Sequence, residues 1–132
     1  MTIAPYLLFI LALIGIAPTS GLAAADAEQS QQSVLAGLLA MQQRSFRIAL
    51  QHCRNAVAQA PDNVAAHTCR GQAAELLGEF DEALAAYQAA ADLRPALLHD
   101  LRLGFLASRM GKNQLAKEML TASLSSWPTE IP

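Results

Sequence analysis

An all-α solenoid of three helix-turn-helix repeats is the fold this sequence predicts, and three observations carry the prediction. Over half of the 132 residues are hydrophobic, 53%, yet only 5% are aromatic. That alanine-rich balance suits helices better than a sheet, which draws on Val, Ile, Thr and aromatic side chains. The second observation is self-similarity. Gly37, Gly71 and Gly104 fall in one column, Ala49, Ala83 and Ala116 in a second, Ala56, Ala90 and Ser123 in a third, and Pro61, Pro95 and Pro128 in a fourth, with offsets of 34 and then 33 residues throughout. A period in this range marks helix pairs stacked in a one-dimensional array. Third, the prolines stop the second helix of each copy, and Gly78 and Gly111 stop the first helix of copies two and three.

The chain is long enough for one domain with a real core, and its composition excludes disorder for the bulk of it. A formal net charge of −2, with the arginines spread from Arg44 to Arg109 among acids, leaves no electrostatic footprint for nucleic acid or anionic lipid.

Taken in order, the chain opens with an apolar run from Ile3 to Ala17, followed by Pro18-Thr19-Ser20-Gly21 and the small residues Leu22-Ala23-Ala24-Ala25. This is the layout of an export signal, here without Lys or Arg before the apolar run. Cleavage is expected after Ala25, dividing the chain into a signal peptide, 1–25, and a mature domain, 26–132; a cut after Ala27 is the close alternative. An uncleaved anchor is the other reading, although the run between Pro5 and Pro18 has the length of a signal core rather than the about 20 residues of a span. No stable membrane span is expected after cleavage. No cysteine lies near this region to carry a lipid.

Asp26 to Ser33 is polar and glutamine-rich and is expected to fray. Six helices then follow near 31–43, 46–59, 63–77, 80–93, 97–110 and 113–126. Ser45 is placed to cap the second, and Asp81 and Glu82 put negative charge in the first turn of the fourth. Gly71 and Gly104 inside helices cost about 1 kcal/mol each relative to Ala, so each implies a close approach of a neighbouring helix.

These residues resemble the tetratricopeptide repeat family. The second repeat, 64–96, is the most similar, with Gly71, Gly78, Phe80, Ala83, Tyr87, Ala90 and Pro95 at the family's small, turn, aromatic and closing positions. The first, 30–63, keeps Gly37, Phe46, Ala49, Ala56 and Pro61, with Arg44 in place of the turn glycine and Cys53 in the later aromatic place. The third, 97–130, keeps Gly104, Gly111, Ala116 and Pro128, with Leu120 in the aromatic place. The family's early tryptophan is replaced by Ser33, His67 and Asp100. The resemblance implies a right-handed superhelix whose concave surface, lined by the first helix of each repeat, binds a protein or peptide partner. It maps the groove onto Val34, Leu38 and Met41, then Thr68, Gln72 and Glu75, then Leu98, Leu101, Phe105 and Arg109, with Gln31, Gln42, Ala65, Leu76 and Ser108 beside them. Core packing is the alternative reading for the apolar positions in this set. The clamp that some members use for a terminal carboxylate is missing, because Gln31, Val34, Leu38, Thr68 and Gln72 hold its places.

No phosphate-binding loop, nucleophile elbow, haem-attachment pair or helical zinc-protease pair occurs, so neither an enzyme nor a cofactor is expected. The acids Glu75, Glu79, Asp81 and Glu82 crowd one turn and read as a solvated turn and helix start. Cys53 and Cys69 are the two cysteines, and an exported chain meets an oxidising compartment. They fall at nearly equal heights on helices that run antiparallel on either side of Pro61 to Asn63. A disulfide is expected, with two small buried hydrophobes, a redox pair or a metal site as other readings. His67 and Cys69 lie about 200° apart around their helix, which speaks against a four-ligand metal site. His67 is expected to fill the tryptophan's packing place and His99 to be exposed.

At the C-terminal end no polar capping helix follows the third repeat before Ile131-Pro132, so Leu120, Leu124 and Trp127 are expected on an exposed edge open to self-association or a larger partner. The functional expectation is an exported, periplasmic binding module, an adaptor or assembly chaperone for an envelope complex. A thiol-redox or metal-handling accessory and a structural oligomer are the alternatives.

Overall fold

The computed structural model describes residues 19–125 and Trp127, and among them the chain forms six helices. They are α1 (Thr19–Gln42), α2 (Phe46–Gln59), α3 (Val64–Leu77), α4 (Phe80–Leu93), α5 (Leu97–Arg109) and α6 (Asn113–Ser125). Each helix packs on the next, and α1 also meets α3, so the pairs α1/α2, α3/α4 and α5/α6 stack as three successive units. The last five helices begin and end within a residue or so of the expected boundaries.

The first helix departs from expectation. Asp26 to Ser33 does not fray but belongs to α1, which runs back to Thr19. Ser30 is fully buried, donates from Oγ to the Ala56 carbonyl at 2.7 Å and accepts from Asn63 Nδ2 at 2.9 Å. Ser33 donates to Gln59 Oε1 at 2.8 Å. These bonds fasten the helix to the α2–α3 turn, and the Ala, Glu and Gln residues before them propagate it backwards at little cost once a turn is nucleated. Ala25 therefore lies within α1; residues 1–18 of the expected signal, and Pro128, fall outside the described residues.

One device ends all three first helices. The N–H groups of Arg44, Gly78 and Gly111 bond the carbonyls of Met41, Glu75 and Ser108, and the next N–H groups, of Ser45, Glu79 and Lys112, reach back to Ala40, Ala74 and Ala107 at 2.9 Å. This paired bonding needs a left-handed residue, and Gly78 and Gly111 supply it at φ 77° and 72°. Arg44 adopts the same conformation at φ 59° without a glycine's freedom. Ser45 stands at the N-cap of α2, but its side chain makes no capping bond. The working cap is Asn63, whose Oδ1 accepts from the N–H of Ala65 at 3.1 Å and Ala66 at 3.4 Å.

The sequence columns are packing columns. Ala49, Ala56, Ala83 and Ala90 are fully buried, and Ala116 and Ser123 nearly so. A Cβ on each glycine of the repeat column would collide with the residue 16 positions on: Gly37 with Cys53 Sγ at 2.7 Å, Gly71 with Tyr87 Cε1 at 2.5 Å, and Gly104 with Leu120 Cδ2 at 2.7 Å. Leu120 is thus drawn over Gly104 inside its own repeat and does not belong to the exposed edge, whereas Leu124 and Trp127 are exposed. His99, expected in solvent, is buried, because it faces inward from the first turn of α5. His67 is also buried, with Nε2 at 2.7 Å from the Pro61 carbonyl.

Cys53 and Cys69 form a disulfide across α2 and α3, with their Cα atoms 5.5 Å apart. Both are buried, at 0% and 1% exposure, beneath Gly37. On the opposite side of the same junction Arg54 of α2 and Arg70 of α3 converge on Glu82 of α4: Arg54 Nε and Arg70 Nε each donate to Oε1 at 2.8 Å, and Arg54 Nη2 grips Oε2. The hydrogen bond from Arg54, then that from Arg70, outweighs desolvation and holds the Glu82 carboxyl at about 2, well below the usual carboxylate range.

Candidate partner-binding groove

The first helix of each unit contributes to a single cleft. Met41 from α1, Gln72, Glu75 and Leu76 from α3, and Arg109 from α5 line a cavity of about 560 Å³. Their positions follow from helical periodicity: Gln72, Glu75 and Leu76 share one stripe of α3, while Cys69 and Ala73 on another face turn into the body.

A hydrogen-bonded relay fixes the cleft's polar floor. Arg109 Nη1 donates to Glu75 Oε1 at 2.7 Å, and Tyr87 Oη donates to Glu75 Oε2 at 3.0 Å. The Arg109 guanidinium also lies 4.8 Å from the centroid of the Phe80 ring, a cation–π contact. Burial first, and the Glu75 carboxylate second, push the Tyr87 hydroxyl well above the ordinary tyrosine range, so it stays a proton donor. Beside it, Arg102 lies 5.8 Å from the Tyr87 ring centroid, and with its amide turned to satisfy both partners Gln72 accepts from Arg102 Nη1 and Nη2 at 3.3 and 3.2 Å. Glu75 and Arg109 neutralise one another, while the Arg102 guanidinium on Gln72 adds a positive charge beside them, so the cleft offers oriented donors and acceptors.

Of the expected groove residues, Met41, Gln72, Glu75 and Arg109 come together in this cleft. Val34 is instead a core residue, because α3 and the disulfide pack over it. With Leu38, Gln31, Leu35, Asn63 and Ala65 it also borders a smaller depression of about 260 Å³ toward the N-terminal end. Thr68 is half-buried and spends its hydroxyl on the Val64 carbonyl of its own helix. Leu101 is half-buried, while Leu98 and Phe105 stand exposed on α5 beside the cleft, Phe105 at 62%. The acids near the α3–α4 turn are each paired with a basic side chain: Glu75 with Arg109, Glu79 with Arg54, Glu82 with Arg54 and Arg70, and Asp81 with Lys112.

Arg102, Phe80 and the Tyr87 hydroxyl were not anticipated as parts of the site. The buried Tyr87 carried the usable signal, since a phenol in a core must find a polar partner and Glu75 is the nearby acceptor. Among the described residues no group of three or more His, Cys, Asp or Glu could hold a metal ion, and no helix is long and apolar enough to cross a membrane.

Comparison with known proteins agrees with this architecture. A family model described as tetratricopeptide repeat matches residues 34–97. Among solved structures, a MamA RS-1 ArsTM double mutant superposes with a TM-score of 0.69 at 25% identity, over 73% of this chain and 55% of that one. MamA 41-end from Desulfovibrio magneticus RS-1 gives 0.67 at 26% identity, over 70% of this chain and 53% of that one. The chain thus spans about half the length of these neighbours. No curated protein matches the sequence. Three stacked helix pairs, a shared turn after every first helix and the match across residues 34–97 lead to one assignment: residues 34–97 are tetratricopeptide repeat sequence, and the six helices are consistent with three such repeats.

Proposed function

We propose that the chain is a non-enzymatic protein-interaction module that holds an extended or helical segment of a protein partner in the cleft between α1, α3 and α5. The observation that carries this reading is the cleft itself: a polar floor of Gln72, Glu75 and Arg109, walled by Met41 and Leu76 and continued by exposed Phe105 and Leu98. Apolar walls supply affinity, and fixed polar groups set the direction in which a peptide lies. The family's fold is in general a scaffold for protein contacts.

The proposed setting is the bacterial-type periplasm, as an adaptor or assembly chaperone for an envelope complex. The export-like N-terminal sequence and the disulfide, which persists in oxidising compartments, support that setting. Burial of both sulfurs favours a crosslink that holds repeats one and two together over a redox exchange, which needs an accessible sulfur.

Leu76→Glu and Phe105→Glu test the groove. Both side chains are exposed, so helix content by circular dichroism should be unchanged, while crosslinked capture of the partner from the exported fraction should fall by about tenfold or more. Undiminished capture by the double variant would move the site off this face.

A further inference from the structure

The two ends of the array expose side chains at positions that its interior buries. Each first helix after α1 lays one face on the preceding repeat. In α3 that face carries Cys69, bonded to Cys53 of α2, and Ala73 one turn on, at 1% and 0% exposure. In α5 the equivalent positions are Arg102, over the Tyr87 ring of α4, and Leu106, at 1% exposure. The repeat offset carries Cys69 and Ala73 back onto Leu35 and Leu39 of α1, which are 60% and 55% exposed. At the other end the matching column runs Val57, Ala91 and Leu124. Val57 packs partly buried against the core and Ala91 is 7% exposed, but Leu124 is 74% exposed.

We propose that a second copy of this chain docks head to tail, the Leu35/Leu39 face of α1 in one copy meeting the Leu124 edge of α6 in the next. The occupant is argued from continuity with the interfaces inside the chain. The face left bare at one end is the kind that α3 and α5 lay on the repeat before them. The edge left bare at the other is the kind that α2 and α4 offer to the repeat after. The neighbours of these patches, Gln31 and Gln32 at one end and Thr121 and Ser125 at the other, are uncharged, so docking buries no unpaired ion. Such a contact uses two different surfaces and leaves each pair with a free end of either kind, so it extends into open chains instead of closing as a symmetric dimer. The concave cleft lies on neither surface and stays available.

Sedimentation of the full 132-residue chain with its disulfide intact tests this. The mean mass should rise with concentration past that of a dimer. Leu39→Glu and Leu124→Glu should each weaken association by roughly tenfold or more. Mixed one to one, they should form a heterodimer and nothing longer, because each variant keeps the one good end that the other lacks. Leu35→Glu should repeat the Leu39→Glu result, and unchanged helix content confirms folding, both sites being exposed. A wild-type chain that stays monomeric at high concentration overturns the proposal. So do single variants that still assemble, which would point to residues 3–17 or the cleft as the contact, and variants that fail to complement on mixing, which would point to like ends meeting.

Discussion

Tyr87 lies across Gly71 so closely that a Cβ on the glycine would stand 2.5 Å from one ring carbon and 2.7 Å from the next. The ring cannot retreat, because it is 1% exposed and its hydroxyl is held by Glu75. Gly71→Ala is therefore expected to destabilise the fold by about 1–3 kcal/mol through overpacking, despite the gain of up to ~1 kcal/mol in helix propensity. Gly104→Ala meets the movable tip of Leu120, beside a bare edge, and should cost less. Urea denaturation of both variants checks the order; an equal or reversed loss would contradict it.

Arg44 invites the opposite change. It holds φ 59° where the other two repeats use glycine, and its exposed side chain makes none of the ion pairs that hold the neighbouring acids. Arg44→Gly should stabilise by about 0.5–1 kcal/mol, the relief of left-handed strain being partly offset by a more flexible unfolded chain. A higher denaturation midpoint with an unchanged slope is the expected readout.

How far these features could be read in advance depends on their range in sequence. The columns of Gly, Ala and Pro report what every repeat must do locally, so helix ends at Gln59 and Leu93 and the turn at Gly78 were legible, as was the pairing of Cys53 with Cys69 across one turn. What repeats do differently was not. Ser30 reads as one more polar residue until Ala56 and Asn63 close on it; Val34 reads as groove until α3 covers it; Leu120 reads as edge until Gly104 is seen to leave room for it. In the cleft, the stripe of α3 was legible from periodicity. The bonds that set its chemistry, Arg109 to Glu75 and Arg102 to Gln72, join different repeats at separations no helical period encodes.

The disulfide joins repeats one and two, with a separation of 16 residues. Cys53→Ala with Cys69→Ala should lower stability by about 3 kcal/mol in the chain-entropy account. Because both sulfurs are buried, reduction of the native protein should track unfolding, so thiol release under mild reductant should be slow and should speed up with urea. Fast release in native buffer would contradict this burial.

Acid should unpick the Glu82 junction. The folded carboxyl titrates at about 2 against an ordinary 4.5, so the folded state binds fewer protons than the unfolded chain between those values. The contribution of Arg54 and Arg70 to stability is therefore complete above about pH 4.5 and is lost as pH falls toward 2. Glu82→Gln should be less stable than the parent at neutral pH and should narrow the gap in acid. Parallel pH curves for parent and variant would contradict the assignment.

The most direct measurement is a photocrosslinking scan of the protein in its native cells, one photoreactive side chain at a time, at Leu38, Leu76 and Phe105 on the cleft side and at Gln51, Gln88 and Glu118 on the second helices. All six positions are exposed, so accessibility does not bias the comparison. Partner adducts should form from the first three positions and not from the second three. Adducts from the second helices, or from all positions alike, would contradict a partner held between α1, α3 and α5.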